Sequence, residues 1–338
     1  MPEPQKVSVV GGGSFGTTIA HVLAEGGNDV LLYVRNEDTV KEINERHKNA
    51  RYFEDLTLHK GVRATSSFEK AMKHSMLVFA MVPSKAFRSV MRELAPFATA
   101  EHMIVHGTKG LERETFKTMT QLIREETCVR RVGAIAGPNL AREILAGLPA
   151  ATVVGSKFDE VVARVRAVLM TPRFLVYGNR DLLGVELGGT LKNVLAIGAG
   201  IIDGGSFGAN AKSLLITRGL AEMMRFGTHM GASAQTFSGL SGIGDIIATC
   251  TSPLSRNYQV GFRLGKGEAL ADIRKSLTQT VEGIDTTAAL YRYAEKERIK
   301  INLTRGLYHL LFEDLPIADV QKMVMQPSAV YEVDSPAG

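Results

Sequence analysis

Lys6-Val7-Ser8-Val9-Val10-Gly11-Gly12-Gly13-Ser14-Phe15-Gly16 is the stretch that decides the fold. A short β-branched run leads straight into G-x-G-x-x-G, and Thr17–Glu25 then reads as a helix. Strand, glycine turn and helix in that order are what a dinucleotide pyrophosphate requires. Gly11 permits the tight turn, Gly13 lets backbone approach the phosphates, and Gly16 allows close helix–strand packing. Ser14 and Phe15 offer main-chain N–H groups where the helix begins, together with its partial positive charge. The competing reading is a glycine-rich turn with no ligand. Placement at the first strand–helix junction of an alternating chain argues against it.

The alternation continues outward. Val30–Val34, Met76–Val82, Met103–His106, Val132–Ala136, Ala151–Val154 and Phe174–Tyr177 read as strands. Thr39–Arg46, Lys85–Leu94, Thr115–Glu125 and Glu160–Val168 read as helices between them. Such a pattern implies a mostly parallel sheet covered on both faces, with ligands bound beyond the C-terminal ends of its strands. At the end of the second strand an NAD site places Asp or Glu for the ribose 2′-OH. This chain has Arg35, whose guanidinium fork suits a 2′-phosphate. The expectation is NADP(H) as favoured cofactor, with NAD(H) as the second; a solvated surface arginine is the plain alternative. Ser84 is expected as a helix N-cap, with cofactor contact as the alternative. Lys109, between two glycines after the fourth strand, is expected at the cleft mouth to contact a phosphate or the cofactor, with a plain exposed loop lysine as the alternative.

After about Asp181 strand signals stop. Leu182–Ile202, Ala209–Met230, Gln259–Leu264, Thr286–Glu297 and Leu303–Phe312 read as helices. Two domains are therefore expected, 1–181 and 182–338, the first binding the dinucleotide and the second carrying substrate and catalysis. The tail after Gln326 is expected to fray. Leu182–Ile202 is long and apolar enough to span a bilayer, yet it contains Glu186, Lys192 and Asn193. Charges at mid-helix are expensive in lipid, so a buried helix at the domain junction is the better reading.

The 338 residues are 45% hydrophobic and 22% charged, an ordinary globular balance. No signal core precedes the first strand, and Cys128 and Cys250 are too few for a disulfide framework, which points to a reducing cytoplasm. Net charge is +5, but the basic residues are scattered, which disfavours nucleic acid and suits anionic metabolites. The eight histidines form no zinc-ligand spacing, and no metal is expected.

Hydride transfer to or from an alcohol carbon needs a group that holds the hydroxyl proton. A lysine serves when burial lowers its pKa. Lys192 lies inside the apolar helix and is the candidate; the alternatives are snorkelling to the surface or pairing with Glu186. Asp245, in Gly242-Ile243-Gly244-Asp245, is the acid that orients Lys192 or bonds a substrate hydroxyl, or else a helix N-cap. Ser255-Arg256-Asn257 gives three consecutive phosphate-capable donors, with Arg256 as the clamp. Glu282 reads either as a cofactor contact or, on spacing alone, as a solvated helix-start acid. His106 reads as a structural histidine.

Gly11–Gly16, Thr108-Lys109-Gly110, Ala136-Gly137-Pro138, Glu186-Leu187-Gly188-Gly189, Leu191-Lys192-Asn193, Phe207-Gly208-Ala209-Asn210, Ile216-Thr217-Arg218-Gly219, Gly242-Ile243-Gly244-Asp245 and Ser255-Arg256-Asn257 occur in this order. From Val7 to about Met325 the chain resembles the bacterial-type NAD(P)-dependent glycerol-3-phosphate dehydrogenases. The resemblance implies an α/β N-terminal Rossmann domain, an all-helical C-terminal domain, a homodimer, and a cytoplasmic enzyme interconverting dihydroxyacetone phosphate and glycerol 3-phosphate for phospholipid synthesis. It implies Lys192 as proton donor and acceptor. Lys109, Gly137, Asn139, Lys192, Asp245, Ser255, Arg256 and Asn257 would bind substrate. Ser14, Phe15, Arg35, Lys109, Ala141, Arg256, Thr280 and Glu282 would contact the cofactor. Asn139 departs from the family's usual Ser or Thr, and Phe15 from its Trp or Tyr. Rival readings are a dehydrogenase for hydroxyacyl thioesters or sugar acids, and a dinucleotide-binding sensor without turnover.

Overall fold

The computed structural model describes residues 4–277 and 281–325; Thr280 and the tail after Gln326 lie outside them. Eight strands form one sheet: β1 (Lys6–Val10), β2 (Asp29–Tyr33), β3 (Val62–Thr65), β4 (Leu77–Ala80), β5 (Met103–His106), β6 (Arg131–Ala136), β7 (Ala150–Gly155) and β8 (Phe174–Asn179). Their order is β3-β2-β1-β4-β5-β6-β7-β8. Only β6 and β7 pair antiparallel; the other neighbours are parallel. Between β1 and β4 the order reverses, and the crevice there is where such sheets bind ligands.

Among the strands are helices α1 (Ser14–Glu25), α2 (Glu37–Arg46), α3 (Phe68–His74), α4 (Ser84–Leu94), α5 (Met119–Glu126), α6 (Ala141–Leu145) and α7 (Asp159–Leu169). They cover both faces, so the inner strands are buried apolar runs, with Val7, Val9 and Val10 of β1 inaccessible, whereas the edge strand β8 exposes Leu175 and Tyr177. One core packs under α1 and α7, the other under α3, α4 and α5. The short β3 and α3 were not expected; four residues and two turns give too little periodicity. Thr115–Glu125 is corrected at its start. Thr118 and Gln121 form a capping box that begins α5 at Met119. Ser84 is not the cap of α4: Pro83 holds that place, and Ser84 is the first helical residue.

The rest is helical: α8 (Leu182–Gly204), α9 (Gly208–His229), α10 (Ala234–Phe237), a π-helical turn at Leu240–Gly244, α11 (Asp245–Thr251), α12 (Arg256–Gly265), α13 (Leu270–Ser276), α14 (Glu282–Glu297), α15 (Asn302–Phe312) and α16 (Ile317–Met325). Helix α8 is the axis of this half, and 89% of its most apolar window is buried in protein. Glycines let α12 lie directly on it. A Cβ on Gly200 would sit 2.1 Å from Tyr258 O, and one on Gly261 1.9 Å from Ile197 O.

Candidate active site

The Gly11–Gly16 turn lies at the sheet's switch point. Gly11 has φ +114°, and a Cβ there would stand 2.5 Å from Met81 O. On Gly16 a Cβ would stand 1.9 Å from Gly11 O, so helix and turn require their glycines. Gly13 differs: nothing lies within 4 Å of its Cβ position. As N-cap of α1 it also brings no side-chain acceptor, which leaves the first N–H groups to a ligand. This open cradle fits a pyrophosphate. Phe15 packs against Gly107, Arg35 is exposed just past β2, and Ala141 opens α6, which packs on α1. Behind the turn, Asn49 Nδ2 donates to Gly12 O (3.0 Å) and Thr17 Oγ1 (2.9 Å). Sequence reading passed over Asn49, since no spacing links it to the turn.

Lys192 is almost inaccessible. Its Nζ donates to Asp245 Oδ1 (2.5 Å) and Thr249 Oγ1 (2.5 Å). Lys109 reaches the other carboxylate oxygen, Nζ to Asp245 Oδ2 at 3.3 Å. Burial pulls the Lys192 pKa down to about 8; Asp245 opposes the fall and Lys109 adds to it. Glu186 is no partner of Lys192. It accepts from His106 Nε2 (3.0 Å), Thr120 N (3.0 Å) and Thr120 Oγ1 (2.6 Å). Asp245 is not an N-cap either, because Gly244 precedes it at the helix start.

Glu282 is not a freely solvated acid. Burial raises its pKa, against the pull of Arg256, Lys109 and Lys192 and of the Ser84 N–H. Lys85 pairs with Asp285 (2.9 Å), joining α4 to α14 beside it. Ser255 caps α12 by accepting from Tyr258 N. Asn257 Oδ1 accepts from Gly283 N (2.9 Å) and so ties α12 to α14. Gly137 has φ +149°, with Ala151 O 3.0 Å from its Cβ position. Asn139 Nδ2 donates to Thr152 Oγ1 (3.0 Å), while its Oδ1 is buried without a partner among the described residues.

The fold thus brings Lys109, Lys192, Asp245, Arg256 and Glu282 into one field, three cations against two carboxylates. Such a pocket attracts anions. It also holds an amine that exchanges a proton near neutral pH. Thr249 was missed, although it stands four residues beyond Asp245 on one helix face. Asn139, Ser255 and Asn257 are engaged with protein partners, and Arg35 lies exposed past the end of β2.

Residues 6–162 match the family model "NAD-dependent glycerol-3-phosphate dehydrogenase N-terminus", and residues 181–322 match "NAD-dependent glycerol-3-phosphate dehydrogenase C-terminus". The chain is 43% identical over 321 residues to the glycerol-3-phosphate dehydrogenase [NAD(P)+] of Acinetobacter baumannii, covering 95% of this chain and 90% of that one. It is 41% identical to the Staphylococcus haemolyticus enzyme of the same name, covering 95% and 97%. The crystal structure of glycerol-3-phosphate dehydrogenase from Coxiella burnetii superposes with TM-score 0.89 at 35% identity, covering 96% of this chain and 98% of that one.

Proposed function

The chain belongs to the NAD(P)-dependent glycerol-3-phosphate dehydrogenase family, and from that premise we propose how its own residues share the work of the reaction. The observation that carries the proposal is one carboxylate, Asp245, receiving both Lys192 and Lys109.

Nicotinamide, when bound, supplies hydride to C2 of dihydroxyacetone phosphate or takes it from C2 of glycerol 3-phosphate. Lys192 holds the proton that the C2 oxygen gains on reduction and loses on oxidation. Its ammonium form serves reduction and its amine form serves oxidation, so reduction is favoured below about pH 8 and oxidation above it. Asp245 aims the lysine, and Thr249 shares the same oxygen. Lys109, Arg256, Ser255 and Asn257 gather at the polar end of the substrate, with Gly137 and Asn139 closing its other side. The turn Gly11–Gly16, with Ser14, Phe15, Ala141 and Glu282, holds the cofactor.

NADP(H) is the favoured cofactor in this reading, because Arg35 takes the strand-end position at which an NAD site carries its acid, while Asp38 lies within the start of the next helix. A homodimer completes it on the base rate for such enzymes, and a reducing cytoplasm fits Cys128 and Cys250 being free thiols.

Oxidation of NADPH and NADH by the purified protein with dihydroxyacetone phosphate tests the assignment. Turnover with both, and a larger kcat/KM for NADPH, is expected. Arg35→Asp should move the NADPH:NADH ratio toward NADH by about ten- to a hundredfold, one charge-assisted contact. An unchanged ratio removes Arg35 from cofactor choice.

A further inference from the structure

One turn of α8 carries a buried carboxylate with no part in the chemistry above. Burying a carboxyl group is costly unless its oxygens are hydrogen-bonded, and those of Glu186 take part in hydrogen bonds with His106 Nε2, Thr120 N and Thr120 Oγ1. Its partners bracket a single segment. His106 ends β5, and Thr120 lies in the first turn of α5. Between them, Gly110 N donates to Thr190 Oγ1 (2.9 Å), and Thr190 Oγ1 donates to Glu186 O (2.8 Å). Segment 106–120 is therefore fastened at both ends and in the middle to residues 186–190 of α8. Lys109 sits inside that segment, and its side chain passes Gly189, whose Cβ position is 3.9 Å from Lys109 Cγ. Lys192 is two residues beyond Thr190 on the same helix. The sheet-borne lysine and the helix-borne lysine are thus held to a common turn, independently of Asp245.

We propose that Glu186 and Thr190 are positioning residues, which clamp Lys109 against α8 and so set its separation from Lys192. The proposal rests on the reading of Lys192 as the acid–base group. Its physical content is electrostatic. Facing the Lys192 ammonium are Asp245, Thr249 and Cys250 from α11, Lys109 from the clamped segment, and Glu282 from α14, with Arg256 of α12 against Glu282. Lys109 is the like charge that discourages protonation of Lys192. When the clamp is loosened, that repulsion weakens and the Lys192 pKa rises. Oxidation of glycerol 3-phosphate, which needs the amine, then loses rate near pH 8, by about fivefold for a rise of one unit.

The test is kcat/KM for glycerol 3-phosphate oxidation by the full-length enzyme from about pH 6 to about pH 10. Thr190→Val keeps the shape and removes the acceptor, Thr190→Ser restores it, and Glu186→Gln loosens the other tie if the valine variant does not fold. Valine and glutamine should move the midpoint up by about one unit, and serine should return it. In a Lys109→Met background, Thr190→Val should add no further shift. Unmoved midpoints in folded variants, or a full additional shift without Lys109, would overturn the clamp. Lys192→Ala in the same assay separates the two readings. Retained rate there sinks the acid–base assignment and the proposal with it, whereas lost rate beside unmoved midpoints sinks the clamp alone.

Discussion

The Gly11–Gly16 turn and the Glu186–Lys192 stretch of α8 present their groups by different means. The turn offers main chain: Gly13 leaves open space, and Gly11 and Gly16 stand where a methyl would strike a carbonyl oxygen. Helix α8 offers side chains, an ammonium at Lys192 and a carboxylate at Glu186, each buried and each satisfied by residues far away in the chain. The turn's geometry is local and repeats wherever its residue pattern follows a strand. The α8 cluster exists only because β5, α5 and α11 are packed around it. Substitutions in the turn should therefore disturb cofactor affinity, and substitutions in α8 should disturb turnover.

Lys192→Ala is the largest expected effect. Removing the acid–base group should lower kcat by about 10²–10⁴-fold, with the cofactor Kd unchanged by titration. A weakened Kd with normal kcat would invert the comparison. Gly16→Ala comes next. A methyl 1.9 Å from Gly11 O forces turn and helix apart, a strain of about 1–3 kcal/mol seen as a lower Tm, together with a raised cofactor Kd.

Glu222 sharpens the α8 side, because it is a buried ionisable group outside the cleft. It accepts from Leu303 N (2.7 Å) and Thr304 N (3.3 Å) at the start of α15, and burial pushes its pKa up to about 7. A raised folded-state pKa contributes stability that is complete below the unfolded value of about 4.3 and disappears as pH rises through about 7. Glu222→Gln does not titrate. Its unfolding free energy should gain on the parent's by on the order of 1–3 kcal/mol between those limits, with kcat unaltered. Parallel stability curves would refute this. Gly13→Ala is the smallest: no change in Tm, and a cofactor KM raised roughly fivefold, about 1 kcal/mol. An unchanged KM would mean that the open space beside Gly13 is not used.

The alternatives left open around Lys192 and Glu282, and the omission of Thr249, share a cause. Glu186 and Lys192 are six residues apart, which puts them on different faces of a helix, where only three- and four-residue spacings meet. That much was legible and excludes their pairing. Asp245 as the actual partner was a choice among readings, since α11 is only seven residues long and follows a π-helical turn. Thr249 stayed hidden with it. Glu282 read either as a cofactor contact or as a solvated helix-start acid, because its own neighbours in sequence are unremarkable; the charges of Arg256, Lys109 and Lys192 and the Ser84 N–H that act on it come from other elements.

By itself, the sequence determined the alternating sheet, the glycine turn at its first junction, and a charged apolar helix that belongs inside protein. These follow from backbone conformation and from the periodicity of apolar residues, which are properties of neighbours. Tertiary structure decided which charges meet. Lys192 reaches Asp245 across 53 positions and Lys109 reaches it across 136. Whether they touch depends on the rotation of each helix about its axis and on where the elements cross. Packing of the whole core sets both, and no local stretch encodes either.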